Sequence, residues 1–253
     1  MWPFESLKAH DHLKRILFLS DLHCPYHDHR AFALLLQVAH AFQWDTLVSI
    51  GDFYDCYSVS KYTKDPRKEA SLKRELAQGR KDCLVPLNKV KVRRKLLLKG
   101  NHDIRPDSYL KEKAPEWYEV FLEQDWFGFK SSGWEVYEYR HHASIGKLIL
   151  THDVATNGAL AVLNAVQDNV VTGHDHQINY VIRGTALGVT HVSATFGWMG
   201  DLAHAEYMHN IRAMRNWSLG FGVGYLRPNG YIYLVPVPII KGSCVVEGRL
   251  FTE

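Results

Sequence analysis

The chain has 253 residues, of which 46% are hydrophobic and 23% are charged. This is the composition of ordinary folded proteins, and it excludes disordered, collagen-like and low-complexity chains. No apolar run approaches the roughly 18 residues needed to cross a bilayer, and the N-terminal sequence lacks the basic start and apolar segment of a secretory signal. We therefore expect a cytoplasmic protein that does not insert into a membrane.

Cysteine and histidine usage points to metal chemistry without a disulfide framework. The four cysteines, Cys24, Cys56, Cys83 and Cys244, are few and scattered in a chain of this length, so we expect free thiols. Fifteen histidines stand against thirty lysines and arginines, and several lie within two residues of an aspartate. Histidine beside carboxylate is the ligand combination of many divalent-metal sites.

The first regular elements form a strand, a helix and a second strand. Residues 15–20 and 46–50 are short apolar runs that read as buried strands. Between them, residues 30–42 have the three-and-four spacing of an amphipathic helix. The order and the short connections predict a βαβ unit.

Three further apolar runs, residues 95–99, 147–151 and 169–172, also lead into polar clusters. In open α/β sheets, ligands bind just beyond the carboxyl ends of the strands. Five strands that each end in polar residues therefore predict a single site at one edge of the sheets.

The second half of the chain is predicted to be mainly β. After residue 177 the helical periodicity fades, and short strand-like segments follow one another. We assign them to residues 180–182, 189–194, 221–226 and 231–237. No linker or repeat interrupts the sequence, so we expect one domain over residues 1–253 with two layers of sheet.

A basic insertion lies between the second and third predicted strands. Residues 61–95 hold thirteen Lys or Arg and four Asp or Glu, whereas the whole chain carries a net charge of only +3. Leu72, Leu76 and Leu84 predict a helix with one apolar stripe that ends before Pro86. Its basic face is either a solvated surface or a patch that attracts phosphate-bearing substrates.

The polar clusters, taken in order, form a five-part pattern. They read Asp21-x-His23, Gly51-Asp52-x-x-Asp55, Gly100-Asn101-His102-Asp103, a lone His152, and Gly173-His174-x-His176. The set resembles the signature of the calcineurin-like metallophosphoesterases. That resemblance implies an α/β fold in which a two-layer β-sandwich is flanked by helices, with a pair of divalent ions at the strand ends.

The resemblance also implies a ligand set for two metal ions. Asp52 would bridge them, because two cations held close together need an anionic oxygen between them. Asp21, His23 and His176 would complete the shell of one ion, and Asn101, His152 and His174 that of the other. Mixed nitrogen and oxygen ligands without cysteine favour Mn, with Fe, Zn or Ni as alternatives.

Residues around this ligand set receive further roles. His102 resembles the family histidine that faces the leaving group, so we expect it to be the general acid, with Asp103 holding its ring. Asp55 is expected to orient a ligand histidine. His27 and Asp28 either contact substrate or, for Asp28, cap the first helix. We expect five further histidines to be ordinary core or surface residues: His141, His142, His191, His204 and His209.

The expected reaction is hydrolysis of a phosphoester by attack of a metal-bound hydroxide. Departures from the pattern of the family's Ser/Thr protein phosphatases disfavour that group, and the basic insertion favours a phosphodiesterase or nuclease acting on a nucleotide or nucleic acid. Aromatic and arginine residues interleaved over 195–217 agree with such a substrate, although an aromatic core under the second sheet with a solvated rim is the preferred explanation. A phosphomonoesterase is the alternative, and a non-catalytic nucleic-acid-binding module is the third possibility.

Overall fold

The computed structural model describes residues 13–64, 71–155, 158–204 and 214–253. Their strands are β1 (Lys14–Leu19), β2 (Thr46–Ser49), β3 (Arg94–Leu98), β4 (Glu135–Tyr137), β5 (Ala143–Ile145), β6 (Leu148–Leu150), β7 (Val170–Thr172), β8 (Ile178–Gly184), β9 (Thr190–Phe196), β10 (Gly220–Leu226), β11 (Ile232–Pro238), β12 (Ser243–Val246) and β13 (Arg249–Thr252). Their α-helices are α1 (His29–Ala41), α2 (Leu72–Gly79), α3 (Val85–Asn88), α4 (Arg105–Lys113), α5 (Tyr118–Leu122) and α6 (Ala159–Val166).

Two mixed sheets carry the fold. The first has six strands in the order β11-β10-β1-β2-β3-β4, in which β1 to β4 are parallel and β10 and β11 are added antiparallel. The second has five strands in the order β5-β6-β7-β9-β8, in which β6, β7 and β9 run parallel. A separate hairpin joins β12 to β13. The predicted α/β sandwich is confirmed, whereas the assignment of residues 1–253 to one domain stays a prediction.

Successive side chains of β1 point alternately into two hydrophobic cores, which explains why the sheets stack. Ile16 and Phe18 belong to a buried cluster shared with strands of the second sheet, including Phe196 of β9. Leu17 and Leu19 face the other way and join the cluster beneath α1. Because successive strand residues point to opposite faces, one apolar strand can serve a core on each side.

The first helix begins one residue earlier than its periodicity predicts. Asp28 is its N-cap, and its side chain accepts hydrogen bonds from the amides of Arg30 and Ala31 at 2.9 Å each. The cap satisfies two of the amides that a helix start leaves without partners. Of the two roles weighed for Asp28, the structure shows the helix cap.

The helix of the basic insertion continues past Pro86, contrary to prediction. A π-helical turn over Arg80–Leu84 joins α2 to α3, and together they form the basic helix, residues 72–88. Pro86 falls in the first turn of the segment that follows the wide turn. The missing amide hydrogen of a proline is tolerated there.

The expectation of four free thiols is wrong. Cys24, just after β1, forms a disulfide with Cys83 of the basic helix across a sequence separation of 59. Cys56 and Cys244 are free and buried. The pairing arises because the basic helix packs on the loop after β1, and sequence spacing carries no record of that contact.

Within the described ranges, no helix is both long enough and apolar enough to cross a bilayer.

Candidate metal centre

The residues predicted as metal ligands converge on one edge of the sandwich. They lie on the loops that follow β1, β2, β3, β6 and β7, and these five loops are called the ligand edge below. The loops of each sheet leave from the same edge because β1 to β3 are parallel to one another, as are β6 and β7. The topology thus brings together residues that are 155 positions apart in sequence, from Asp21 to His176.

One group of donor atoms comes from Asp21, His23, Asp52 and His176. One ligand atom of each lies within 4.8 Å of the others, and all four residues are buried. The Nε2 atoms of the two histidines are 3.2 Å apart. The His176 Nε2 is 3.4 Å from a carboxylate oxygen of Asp21.

A second group comprises Asp52, His152 and His174, with Asn101 between the two histidines. The amide oxygen of Asn101 is 2.8 Å from His174 Nδ1 and 3.2 Å from His152 Nε2. His152 Nε2 is also 3.3 Å from Asp52 Oδ2. Asp52 therefore belongs to both groups, and the division of residues matches the two predicted shells.

The ring of His152 is oriented as a metal-binding imidazole must be. His152 Nδ1 lies 2.7 Å from the carbonyl oxygen of Ile50, so it carries the proton and leaves a lone pair on Nε2. That lone pair faces the oxygens of Asn101 and Asp52, which are acceptors too. Acceptors that converge without a donor repel one another unless a cation lies between them. The donor set therefore fits divalent ions.

The pKa values of the buried side chains in the apoprotein also favour a bound cation. Burial by itself raises the pKa of the Asp52 carboxyl, but the charges of His152, His102 and His23 hold that pKa well below its usual range. Against the burial that lowers it, the Asp52 carboxylate raises the pKa of His152 to about 10. Without metal, a proton on histidine balances the buried negative charge. A divalent ion supplies that positive charge directly.

Left-handed backbone turns most of the ligands inward. Five residues of the set have positive φ angles between 48° and 72°, namely Asp21, His23, Asp52, His174 and His176. This region is unfavourable for residues with a Cβ and persists only where the surroundings enforce it. Here the enforcement comes from cross-bonds between loops, such as the amide of His174 on the Asp21 carboxylate at 3.0 Å and the amide of His102 on Asp52 Oδ1 at 2.8 Å.

Two glycines make the close packing of these loops possible. Gly51 has φ +86°, and a Cβ there would collide with the ring of His152. A Cβ on Gly100 would collide with the carboxylate of Asp52. Each glycine precedes a ligand in the chain and lies against a ligand from another loop, so only hydrogen fits.

Asp55 joins a ligand histidine to the predicted general acid. Its Oδ2 lies 3.1 Å from His23 Nδ1 and 3.1 Å from His102 Nδ1. Both rings therefore carry a proton on Nδ1. The Nε2 of His23 faces His176 of the first donor group, and the Nε2 of His102 faces Arg105. The predicted orienting role of Asp55 agrees with these contacts and extends to a second histidine.

Sequence reasoning missed Arg105, the third partner of Asp55. Its Nη1 donates to the carbonyl oxygen of Asp55 at 2.7 Å and to Oδ1 at 3.0 Å. Its Nη2 is 2.8 Å from His102 Nε2. The position of Arg105, three residues after His102 at the start of α4, is the only sequence signal that could have suggested the contact.

The expectation that Asp103 holds the His102 ring is wrong. Its carboxylate accepts hydrogen bonds from the amides of Gly100 at 2.9 Å, Tyr54 at 2.9 Å and Phe53 at 3.3 Å. Burial and the charge of Asp52 raise the pKa of Asp103 to about 6. Asp103 thus fastens the loop after β3 to the loop after β2, because its side chain points back into the turn.

His27 does not face the donor groups. Its ring is buried, with Nδ1 3.4 Å from the Cys83 sulfur, and it packs against His29 and Phe32. Burial and the charge of His29 lower the pKa of His27 to about 4. The substrate contact considered for His27 is therefore not supported.

Part of the predicted aromatic segment borders the site. Trp198 stacks on the His176 ring with centroids 5.0 Å apart, and Trp217 meets the same ring at 4.3 Å. The two indoles are 4.7 Å apart. Other members of that segment, Tyr207, Met208, His209 and Arg212, lie outside the described residues.

Comparisons with known proteins give one family and distant structural likenesses. A sequence model of the calcineurin-like phosphoesterase family matches residues 14–225. The Gene 54 proteins of Mycobacterium phages L5 and D29 are each 28% identical to this chain, over 94% of it and 98% of theirs. Zinc-complexed Vps29 from Entamoeba histolytica has 13% identity and a TM-score of 0.48, covering 91% of this chain and 96% of its own. The nuclease MPE of Pseudomonas putida has 14% identity and a TM-score of 0.36, covering 87% of each chain.

Proposed function

Because the chain belongs to the calcineurin-like phosphoesterase family, and so is a metal-dependent phosphoesterase, we propose that it hydrolyses phosphodiester bonds in a nucleotide or nucleic acid. The observation that carries the proposal is the Asp52 carboxylate, which lies in both donor groups of the ligand edge. A carboxylate shared by both groups would be a ligand of each of two cations held side by side.

The proposed metal ligands form two sets that share Asp52. Asp21, His23, Asp52 and His176 would hold one ion, and Asp52, Asn101, His152 and His174 would hold the other. Two divalent ions held there would bind phosphoryl oxygens, lower the pKa of bound water and offset the charge of the transition state. Nitrogen and oxygen donors without thiolate favour Mn²⁺, with Fe, Zn or Ni as alternatives.

His102 and Arg105 act on the substrate together. In the structure Arg105 donates to His102 Nε2, while His102 donates from Nδ1 to Asp55. A phosphoryl oxygen of the substrate is a stronger acceptor for the guanidinium than a neutral imidazole is. Substrate binding would therefore draw Arg105 away and free Nε2 of His102 to take up a proton from solvent. The resulting imidazolium, held at Nδ1 by Asp55, would then deliver that proton from Nε2 to the leaving oxygen.

The basic helix supports a polyanionic substrate. Its Glu75 accepts hydrogen bonds from the amides of Tyr57 at 2.6 Å and Ser58 at 3.1 Å, on the loop after β2. Its Cys83 is bonded to Cys24, next to His23. These two attachments fix the helix beside the ligand edge, and its exposed lysines and arginines add positive potential there. The predicted cytoplasmic location stays a prediction.

The deciding experiment compares a diester with a monoester. Purified protein loaded with Mn²⁺ is assayed on bis(p-nitrophenyl) phosphate and on p-nitrophenyl phosphate, with Asp52→Asn as the blank. We expect diester turnover to exceed monoester turnover and Asp52→Asn to fall to background. Faster monoester turnover would instead identify a phosphomonoesterase.

A second arm separates catalysis from mere binding. Loss of the general acid in His102→Ala should lower turnover by about 10² to 10⁴-fold, while bound metal, measured by elemental analysis, stays near that of the wild type. A non-catalytic nucleic-acid-binding module would instead show no turnover, and Asp52→Asn would bind nucleic acid as well as the wild type does. Full activity in Asp52→Asn would contradict the bridging role.

A further inference from the structure

Three aromatic rings are stacked at the border of the ligand edge, and we call them the ring stack: His176, Trp198 and Trp217. His176 and Trp198 lie nearly parallel, with an interplanar angle of 12°. Trp217 meets His176 at 71° and Trp198 at 60°. Trp198 is 4% exposed, whereas Trp217 is only partly buried. The stack therefore runs from the core to the surface beside a metal ligand.

Trp198 provides the parallel ring contact of His176. Its indole covers the imidazole face to face and is itself buried in the sandwich. Trp217 adds an inclined contact, and neither His176 nor Trp198 covers a face of its ring in parallel. A large apolar ring in that position is suited to a flat partner from solution.

The backbone holds Trp217 rigidly. The amide of Ser218 donates to the carbonyl oxygen of His176 at 2.9 Å, and the amide of Trp198 donates to the carbonyl oxygen of Ser218 at 3.1 Å. Leu219 forms an isolated bridge with Trp198. An aromatic side chain on such a fixed mount loses little conformational freedom when a ligand stacks on it.

The charge near Trp217 suits a nucleotide. Arg215, two residues away, is exposed, and no ion pair holds it within the described ranges. An aromatic face with a neighbouring guanidinium is the arrangement by which proteins bind a base together with its backbone phosphate. The same arrangement lies one ring from His176, so a stacked base would sit next to the phosphoester that the metal ions engage.

We propose that Trp217 is a stacking platform for an unpaired nucleobase next to the scissile phosphoester, so that the enzyme prefers single-stranded nucleic acid. The inference rests on the proposed phosphodiesterase function and specifies its substrate. A base inside a duplex already stacks on its neighbours and cannot present a face to Trp217 without being extruded. Single strands offer that face freely.

The test measures binding with and without bases. Fluorescence anisotropy is recorded for two labelled oligodeoxynucleotides of equal length with cleavage-resistant phosphorothioate linkages, one of normal bases and one abasic, on Mn²⁺-loaded protein. We expect Trp217→Ala to weaken binding of the normal strand about tenfold and to leave the abasic strand unchanged. Trp217→Phe should recover most of the loss, because it restores an aromatic face.

Two controls keep the result interpretable. Trp117, which is 61% exposed on the surface, should tolerate Trp117→Ala without any change in binding. Trp217→Leu keeps much of the packing volume but offers no aromatic face, so it should behave like the alanine variant while retaining the metal. Trp217→Leu therefore tests the stacking role even if Trp217→Ala loses its bound metal.

The outcomes separate the two proposals. Equal losses for normal and abasic strands in Trp217→Leu, or no loss for either, would overturn the stacking role even if diesters are hydrolysed. Base-selective loss in a protein that hydrolyses neither phosphoester would uphold the platform and reject the catalytic proposal. Equal affinity of the wild type for normal and abasic strands would also overturn the platform.

Discussion

The ligand edge and the β12–β13 hairpin both use left-handed backbone, for different reasons. In the hairpin, Glu247 and Gly248 have φ angles of 49° and 75°, as the tight two-residue turn between twisted strands requires. Open space surrounds Gly248, since no atom lies within 4 Å of the place where a Cβ would be. At the ligand edge the same conformation occurs at buried aspartates and histidines.

The difference lies in what supports the strain. In the hairpin, the turn adopts left-handed backbone without support from other loops, because it contains a glycine and faces open space. At the ligand edge, hydrogen bonds from other loops hold the left-handed residues in place. Examples are the bonds that the amides of His174 and His102 donate to the carboxylates of Asp21 and Asp52. Strain of this kind marks a site whose side chains are held ready for a ligand, and four pairs of variants probe that contrast.

The largest effect should come from glycines with the same torsion in the two places. Gly51→Ala adds a Cβ that collides with His152, so we expect about 3 kcal/mol of lost stability from overpacking and backbone strain, together with loss of bound metal. Gly248→Ala meets only the torsional penalty, about 1 kcal/mol, and should keep full metal content. Denaturant melts and elemental analysis give both quantities, and equal effects in the two variants would erase the distinction.

Cysteine variants test the covalent tie at the ligand edge. Cys83→Ser removes the disulfide to Cys24 and should cost about 2–4 kcal/mol of stability. Cys244→Ser, at a buried free thiol of β12, is the control and should not change the number of thiols protected from alkylation. Mass spectrometry under non-reducing conditions should find two alkylated cysteines in the unfolded wild type, and four would disprove the pairing.

Removing the shared carboxylate tests how the ligands are held. Asp55→Ala leaves His23 and His102 without their acceptor, so metal affinity should fall about 10- to 100-fold. Asp28→Ala, at a helix cap near the same edge, should cost about 1 kcal/mol of stability and leave metal affinity unchanged. Metal titration followed by calorimetry distinguishes the two, and an unaltered affinity in Asp55→Ala would mean that the ligand rings orient themselves.

The most gradual expected effect is a pH dependence of stability at the basic helix. Burial and the charge of Asp55 raise the pKa of Glu75 from its ordinary 4.5 to about 7. The folded state therefore binds the proton more tightly, and this stabilisation is full below pH 4.5 and lost as pH rises to 7. Within that window wild-type stability should fall by about 1 kcal/mol per pH unit relative to Glu75→Gln. Glu247→Gln in the hairpin provides the comparison, and identical pH profiles for wild type and Glu75→Gln would contradict the raised pKa.

Sequence reasoning predicted the strands because they depend on local pattern, and the family resemblance supplied a proposed ligand set whose residues the fold brings together. The apolar runs that end at Ser20 and Ile50 place Asp21 and Asp52 at strand ends without knowledge of the fold. The Cys24–Cys83 bond, the Arg105 contact and the true partners of Asp103 depend instead on how loops and side chains pack in three dimensions. The early helix end at Pro86 was wrong because a π-helical turn shifts the hydrogen-bond ladder.

The sharing of Asp55 by His23 and His102 makes the effects of mutation at these two histidines interdependent. Once either ring is removed, the carboxylate turns toward the partners that remain, Arg105 among them, and the second removal disturbs an arrangement that has already relaxed. Residues that share one hydrogen-bonding partner show non-additive energies. Under the proposed roles, a change that suits metal binding at His23 would also alter proton delivery at His102, so the two positions would evolve as a pair.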